Sequence, residues 1–198
     1  MNYLVHLYLS DPTPMCRLGN LIGDFVKGPL IPRRYSPELL KGLRQHRAVD
    51  RLALAHPSVR ASKSRIDNRF GHLKPILIDI FYDHLLAKNW STWGTGTLKE
   101  YAASTYRVLG DHQALLPEKF RPVVRSMIDH DWIFAYAKIT TIKLVLERMS
   151  GRLSRPNILA QGYYELERCG TQMEADCRTF LEAACAMLAT LDIRNDQR

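Results

Sequence analysis

At 198 residues, with 46% hydrophobic and 24% charged side chains, the chain has the length and balance of one folded domain and not of a disordered polymer. No apolar run reaches the roughly 18 residues of a membrane span, because the most apolar stretch, Trp132 to Leu146, is interrupted by Lys138 and Lys143. The net charge of +8 falls within residues 1–78, which hold 13 Lys and Arg against 5 Asp and Glu, whereas residues 79–198 hold 15 of each. Such a surplus is either a solubilising surface or a face for an anionic partner. Nucleic acid is the usual partner of such a patch, but no zinc-finger or RNP motif accompanies it, and an acidic protein is the other candidate.

In chain order, helical periodicity dominates and strand-like alternation is nearly absent, which predicts an all-α fold. A short helix is expected over Asn2 to Leu9, ended by Asp11-Pro12-Thr13-Pro14. Without a basic leader, that start does not read as a secretory signal. An apolar turn from Leu18 to Val26 precedes the Gly28-Pro29 break. Ser36 is an N-cap with Pro37 at the first helical position, so a long helix should start there and run through His46 towards His56-Pro57. A second long helix, Lys74 to Trp90, is apolar on several sides and reads as buried. Further helices are expected over Thr97 to Asp111, Glu118 to Met149 with a break near Asp131, Arg155 to Arg168, and Met173 to Leu191. The domain is expected over 1–192, with a disordered tail at 193–198. Four cysteines without CxxC spacing, Cys16, Cys169, Cys177 and Cys185, fit thiols in a reducing cytoplasm.

The residues able to carry chemistry are His46 and Asp50, four apart on the first long helix, and Asp79 and Asp83, four apart on the second, with His84 adjacent. Carboxylates among Ile78, Ile80, Phe81 and Leu85 are costly to bury as ions unless paired or bound to a cation. Asp24 lies in a third apolar setting. Imidazoles and carboxylates without thiolate suit Mn²⁺, Mg²⁺ or Fe²⁺ more than structural zinc, with Mn²⁺ first. Each element also has a structural reading. His46 with Asp50 fits an intrahelical hydrogen bond, Asp79 and Asp83 fit a network with Arg44, Arg47 or Arg69, and Asp24 fits a helix cap. His6 reads as a ligand, a proton shuttle or a core histidine, and Trp90, Trp132 and Tyr136 read as packing residues.

Four segments in register, MNYLVHLYLS at the start, GNLIGDFVKG at 19–28, GLRQHRAVD at 42–50 and IDIFYDHLLAKNW at 78–90, resemble the acyl carrier protein phosphodiesterases. These are distantly similar to the HD-domain metal phosphohydrolases. A weaker match runs through MIDHDWIFAY at 127–136, and the resemblance extends to about residue 160. It implies a helical HD-like bundle and a divalent metal, Mn²⁺ preferred, held by Asp24, His46, Asp79, Asp83 and His84. It further implies hydrolysis of the diester between 4′-phosphopantetheine and a serine of holo acyl carrier protein. His6, Asp24, His46, Arg47, Asp50, Asp79, Asp83 and His84 carry over as catalytic positions. Lys27, Arg33, Arg34, Arg44 and Arg51 would then dock the acidic carrier. Two departures stand out: Ala53 and Leu54 replace a Thr-Asp pair, and Tyr8 replaces a further His. The first motivates a rival reading as a non-catalytic carrier-binding protein; a nucleotide phosphohydrolase of the wider group is the other.

Overall fold

The computed structural model describes residues 1–196, with side chains described through Leu191. The expected tail at 193–198 therefore lies outside the residues whose side chains are described. Helices α1 (Tyr3–Tyr8), α2 (Pro14–Ile22), α3 (Pro37–Ala55), α4 (Pro57–Arg65), α5 (Lys74–Lys88) and α6 (Trp90–Trp93) make the first part of the chain. α7 (Leu98–Asp111), α8 (Arg121–Asp129), α9 (Trp132–Ala135), α10 (Ile139–Arg152) and α11 (Gly162–Asp196) complete it. No strand occurs among the described residues, so the all-α expectation holds. Among them, no helix is long and apolar enough to cross a membrane.

Local chemistry sets the helix starts. The Ser36 side chain accepts the Leu39 N–H ahead of Pro37, and Thr13 does the same for the Cys16 N–H ahead of Pro14. Each side chain supplies one acceptor to a helix end that would otherwise leave its first N–H groups unpaired, worth about 1 kcal/mol. Thr97 and Glu100 cap α7 reciprocally.

α5 is the central helix. Leu77, Ile78, Phe81, Tyr82, Leu85 and Leu86 are all essentially inaccessible to solvent, and α1, α4, α10 and α11 pack around it. Truncating a side chain such as Phe81 to Ala removes buried area and leaves a void, at a cost of about 3–5 kcal/mol. α2 and α3 are the most intimate pair because each brings a glycine to the crossing. A Cβ on Gly19 or Gly42 would collide with the facing backbone of the other helix. That close approach fixes the height of α3 relative to α2.

The structure departs from the expected helix bounds in several places, among them a second interruption at 136–138 that separates α9 from α10. α2 is a full helix rather than an apolar turn, and α4 follows α3 directly after His56. The break near Asp131 is present, with Asp131 in the left-handed region (φ 46°) and its carboxylate accepting the Tyr106 hydroxyl. In the last part, two helices are replaced by one, α11, which runs through Gly170. A helical glycine costs roughly 1 kcal/mol against alanine. Buried Leu166, Cys169, Met173, Cys177, Phe180 and Ala184 continue their stripe across it, and packing against α3, α4 and α5 outweighs that local cost.

Candidate active site

The α2–α3 crossing sets the first histidine. His46 is buried, and its Nδ1 lies 2.8 Å from the Asn20 carbonyl oxygen. A carbonyl only accepts, so Nδ1 carries a proton, and Nε2 faces Asp50 Oδ2 (3.2 Å) and Asp24 Oδ1 (3.5 Å), whose negative charges favour a second proton on the ring while no cation is bound. Gly23 makes this possible, since a Cβ there would overlap the His46 ring. Asp24 follows in the 3₁₀ turn Gly23–Phe25, with its side chain 60% exposed at the mouth of the site.

The second histidine arrives by a different route. Leu4 and Val5 donate their backbone N–H groups to the two oxygens of buried Asp83, each at 2.9 Å. Asp83 thereby fastens the first turn of α1 to α5. One turn of α1 then lays His6 on His46, with ring centroids 3.9 Å apart. His6 Nε2 is 3.3 Å from Asp50 Oδ1, an ion-pair distance, while neither buried ring nitrogen of His6 makes a hydrogen bond. The Met1 amino group completes the cluster, donating to Asp50 Oδ1 at 3.0 Å and lying 3.6 Å from Asp79 Oδ1. This ammonium supplies positive charge where the carboxylates converge.

Burial works to lower the pKa of His46, but the carboxylates of Asp24 and Asp50 more than reverse it, pushing it to about 9. His6, enclosed and next to a cationic neighbour, is lowered by burial to about 4. Asp50 is held well below the carboxylate range, because His46, His6 and the amino group outweigh its burial. Contact with His46 lowers Asp24, whereas burial raises Asp79.

Ligand atoms of His6, His46 and Asp50 all lie within 4.8 Å of one another. Two imidazole nitrogens and a carboxylate oxygen, with Asp24 and Asp79 beside them, form a donor set for a borderline-to-hard divalent cation. The orphaned nitrogens of His6 and the ammonium at Asp50 and Asp79 both fit such a cation at this point.

Several expected site residues have other work. Asp83 spends both oxygens on α1, and burial raises it to about 7 against the pull of those two N–H groups. Asp83, which the resemblance implies as a metal ligand, thus has both carboxylate oxygens engaged by backbone N–H groups. His84 is turned away from the cluster, with Nδ1 bonded to the Tyr136 carbonyl at 2.7 Å, where it secures the end of α9. Arg47 donates to the carbonyls of Val26 and Gly28, bracing the loop that carries Lys27. Lys27, Arg33, Arg34, Arg44 and Arg51 are all exposed, and Arg44 and Arg51, seven apart, share a solvent-facing stripe of α3 that is turned well away from the His46–Asp50 face. Leu54 is 75% exposed and adds no ligand atom. The Met1 amino group was not anticipated, since no side-chain pattern records a backbone amine.

Fold and cluster together define an all-helical protein with a histidine–carboxylate centre suited to a cation. The sequence profile of the acyl carrier protein phosphodiesterases matches residues 1–184, further than the motifs alone reached, and the chain belongs to that family. It is 32% identical to the acyl carrier protein phosphodiesterase of Photorhabdus laumondii subsp. laumondii, over 85% of each chain. It is 31% identical to that of Pectobacterium atrosepticum, over 88% of this chain and 90% of the relative. For that of Escherichia coli O6:H1 the identity is 27%, over 84% and 86%. No solved structure matches the chain.

Proposed function

We propose that this chain is a divalent-metal-dependent, cytoplasmic phosphodiesterase that releases 4′-phosphopantetheine from holo acyl carrier protein. The observation that carries the reading is the His6–His46–Asp50 cluster, with the ring nitrogens of His6 making no hydrogen bond, in a member of this family. His6, His46 and Asp50 would hold the cation, with Asp24 and Asp79 completing its surroundings. When bound, a divalent cation offsets phosphate charge and makes water a better nucleophile near neutral pH, with Mn²⁺ the first choice.

The chain's own residues account for the rest. Asn20 fixes the His46 tautomer and ring orientation, the kind of support on which metal affinity depends. Exposed Asp24, at the mouth, is placed to accept a proton from the attacking water. Lys27, held by the Arg47-braced loop, faces solvent as a cation for non-bridging oxygens. Water oxygen bonds to phosphorus as the bond from phosphorus to the serine oxygen breaks. The serine oxygen takes a proton, giving apo carrier and 4′-phosphopantetheine. Docking is assigned to Lys27, Arg33, Arg34, Arg44 and Arg51, which would meet the acidic carrier. Free thiols at Cys169, Cys177 and Cys185 support the cytoplasmic placement.

A non-catalytic carrier binder is the second reading, favoured by Leu54 at a position one turn beyond Asp50. Incubating the protein with holo carrier and Mn²⁺ and following carrier mass separates the two. Loss of the phosphopantetheine mass is expected. Binding without mass loss at saturating metal would favour the binder.

A further inference from the structure

Beside the cluster lies a cleft of about 370 Å³. Ile76 and Ile80 of α5, Val123 of α8, Trp132 of α9, and Val145 and Met149 of α10 give it apolar walls. Asn2 and Ser126 add polar groups, and Arg148 and Arg152, four apart on the last turns of α10, add positive charge. Trp132 and Tyr136, which the sequence presents as packing residues, also form part of its lining.

One residue joins the cleft to the centre. Asp79 lines the cleft and is also 3.6 Å from the Met1 amino group that contacts Asp50. The cleft therefore opens from the cluster on the α5 side, whereas the exposed basic residues belong to α3 and the segment before it. We propose that this cleft seats the pantetheine arm of the carrier's prosthetic group, with its phosphate end at Asp79 and the cluster.

The assignment rests on the phosphodiesterase reading and extends it to residues that determine substrate recognition. Its volume lies within the roughly 300–1,000 Å³ usual for small-molecule sites. Pantetheine alternates apolar carbon, including a gem-dimethyl group, with two amides. Such a chain calls for apolar walls with a few interspersed hydrogen-bonding groups, which Asn2 and Ser126 supply. Two arginines would be poorly placed beside a wholly apolar guest, but they suit one that ends in phosphate. With carrier on the basic α3 side and arm on the α5 side, the scissile diester lies at the centre between them.

The test uses Val145→Trp and Met149→Trp, each filling the cleft from a half-buried position, and Arg148→Glu, which alters charge without filling it. Calorimetry would measure 4′-phosphopantetheine binding to the full-length protein. Kinetics would compare holo carrier with bis(4-nitrophenyl) phosphate, a diester that has no arm. Binding by the wild type, weakened about tenfold or more in the tryptophan variants, is expected, with a matching fall in kcat/KM for holo carrier and bis(4-nitrophenyl) phosphate turnover held within about twofold. Folded variants that bind and turn over holo carrier like the wild type would overturn the proposal, as would an equal loss on both substrates. If the wild type fails to cleave holo carrier, the phosphodiesterase reading falls. The binding arm still decides the cleft, because variant-sensitive binding supports it and no binding by the wild type rejects it.

Discussion

His6 lies nearly flat on His46, with centroids 3.9 Å apart and planes inclined by 19°. Two stacked imidazolium ions would repel at that distance, and the opposite shifts of their pKa values keep one ring charged and the other neutral. Neutral His6 then offers a ring-nitrogen lone pair that no hydrogen bond occupies. His6→Phe preserves the stack while removing the donor atoms, so the fold should remain and Mn²⁺ affinity should fall by about tenfold or more. Titration calorimetry measures the affinity and circular dichroism the fold. Wild-type affinity in the folded variant would remove His6 from the ligand set.

The raised pKa of His46 makes the metal-free protein sensitive to alkali. A folded-state value of about 9 against an ordinary 6.5 means that its stabilising contribution is fully present below pH 6.5 and is lost as pH rises through 9. Because Asp50 and Asp24 are 37% and 60% exposed, the effect is discounted to roughly 1–2 kcal/mol. Melting temperatures of the chelated protein should decline between pH 7 and 10, and His46→Gln should flatten that decline. Parallel profiles for the two proteins would contradict the assignment.

Asp79 and Asp83 share one helix and should respond differently to the same substitution. Asn at position 83 offers one acceptor oxygen where two backbone N–H groups need partners, leaving Leu4 or Val5 unsatisfied at a cost of about 1–3 kcal/mol. Several degrees of melting temperature should be lost. Asp79→Asn, at a half-exposed position, should melt near the wild type but lose most Mn²⁺-supported turnover. Equal melting temperatures for the two variants would count against the division of roles.

Docking by the basic surface predicts a salt-dependent reaction. Charge reversal of Arg33 with Arg34, or of Arg44 with Arg51, should raise KM for holo carrier by about tenfold at low ionic strength, with a smaller effect on kcat. Salt dependence of kcat/KM should weaken in both double variants. A flat salt profile in the wild type and both variants would leave these arginines as solubilising charges.

The sequence alone determined what one helix decides by itself. Ser36-Pro37 marked the start of α3, spacing placed His46 with Asp50 on one face, and the absence of alternation excluded sheet. Only the tertiary structure decided which elements meet. Asp79 and Asp83 have the same spacing as His46 and Asp50, yet α1 packs its first turn onto Asp83 and leaves Asp79 beside the cluster. His84, adjacent in sequence, projects from another side of α5 towards Tyr136, while distant His6 joins the centre because Asp83 holds α1 in place. Arg47 carries over from the family motif as a catalytic position, yet its guanidinium donates to the carbonyls of Val26 and Gly28. Spacing fixes directions within a rigid helix, but a buried polar group takes its role from the unpaired donor or acceptor that packing brings to it, and that partner comes from another part of the chain.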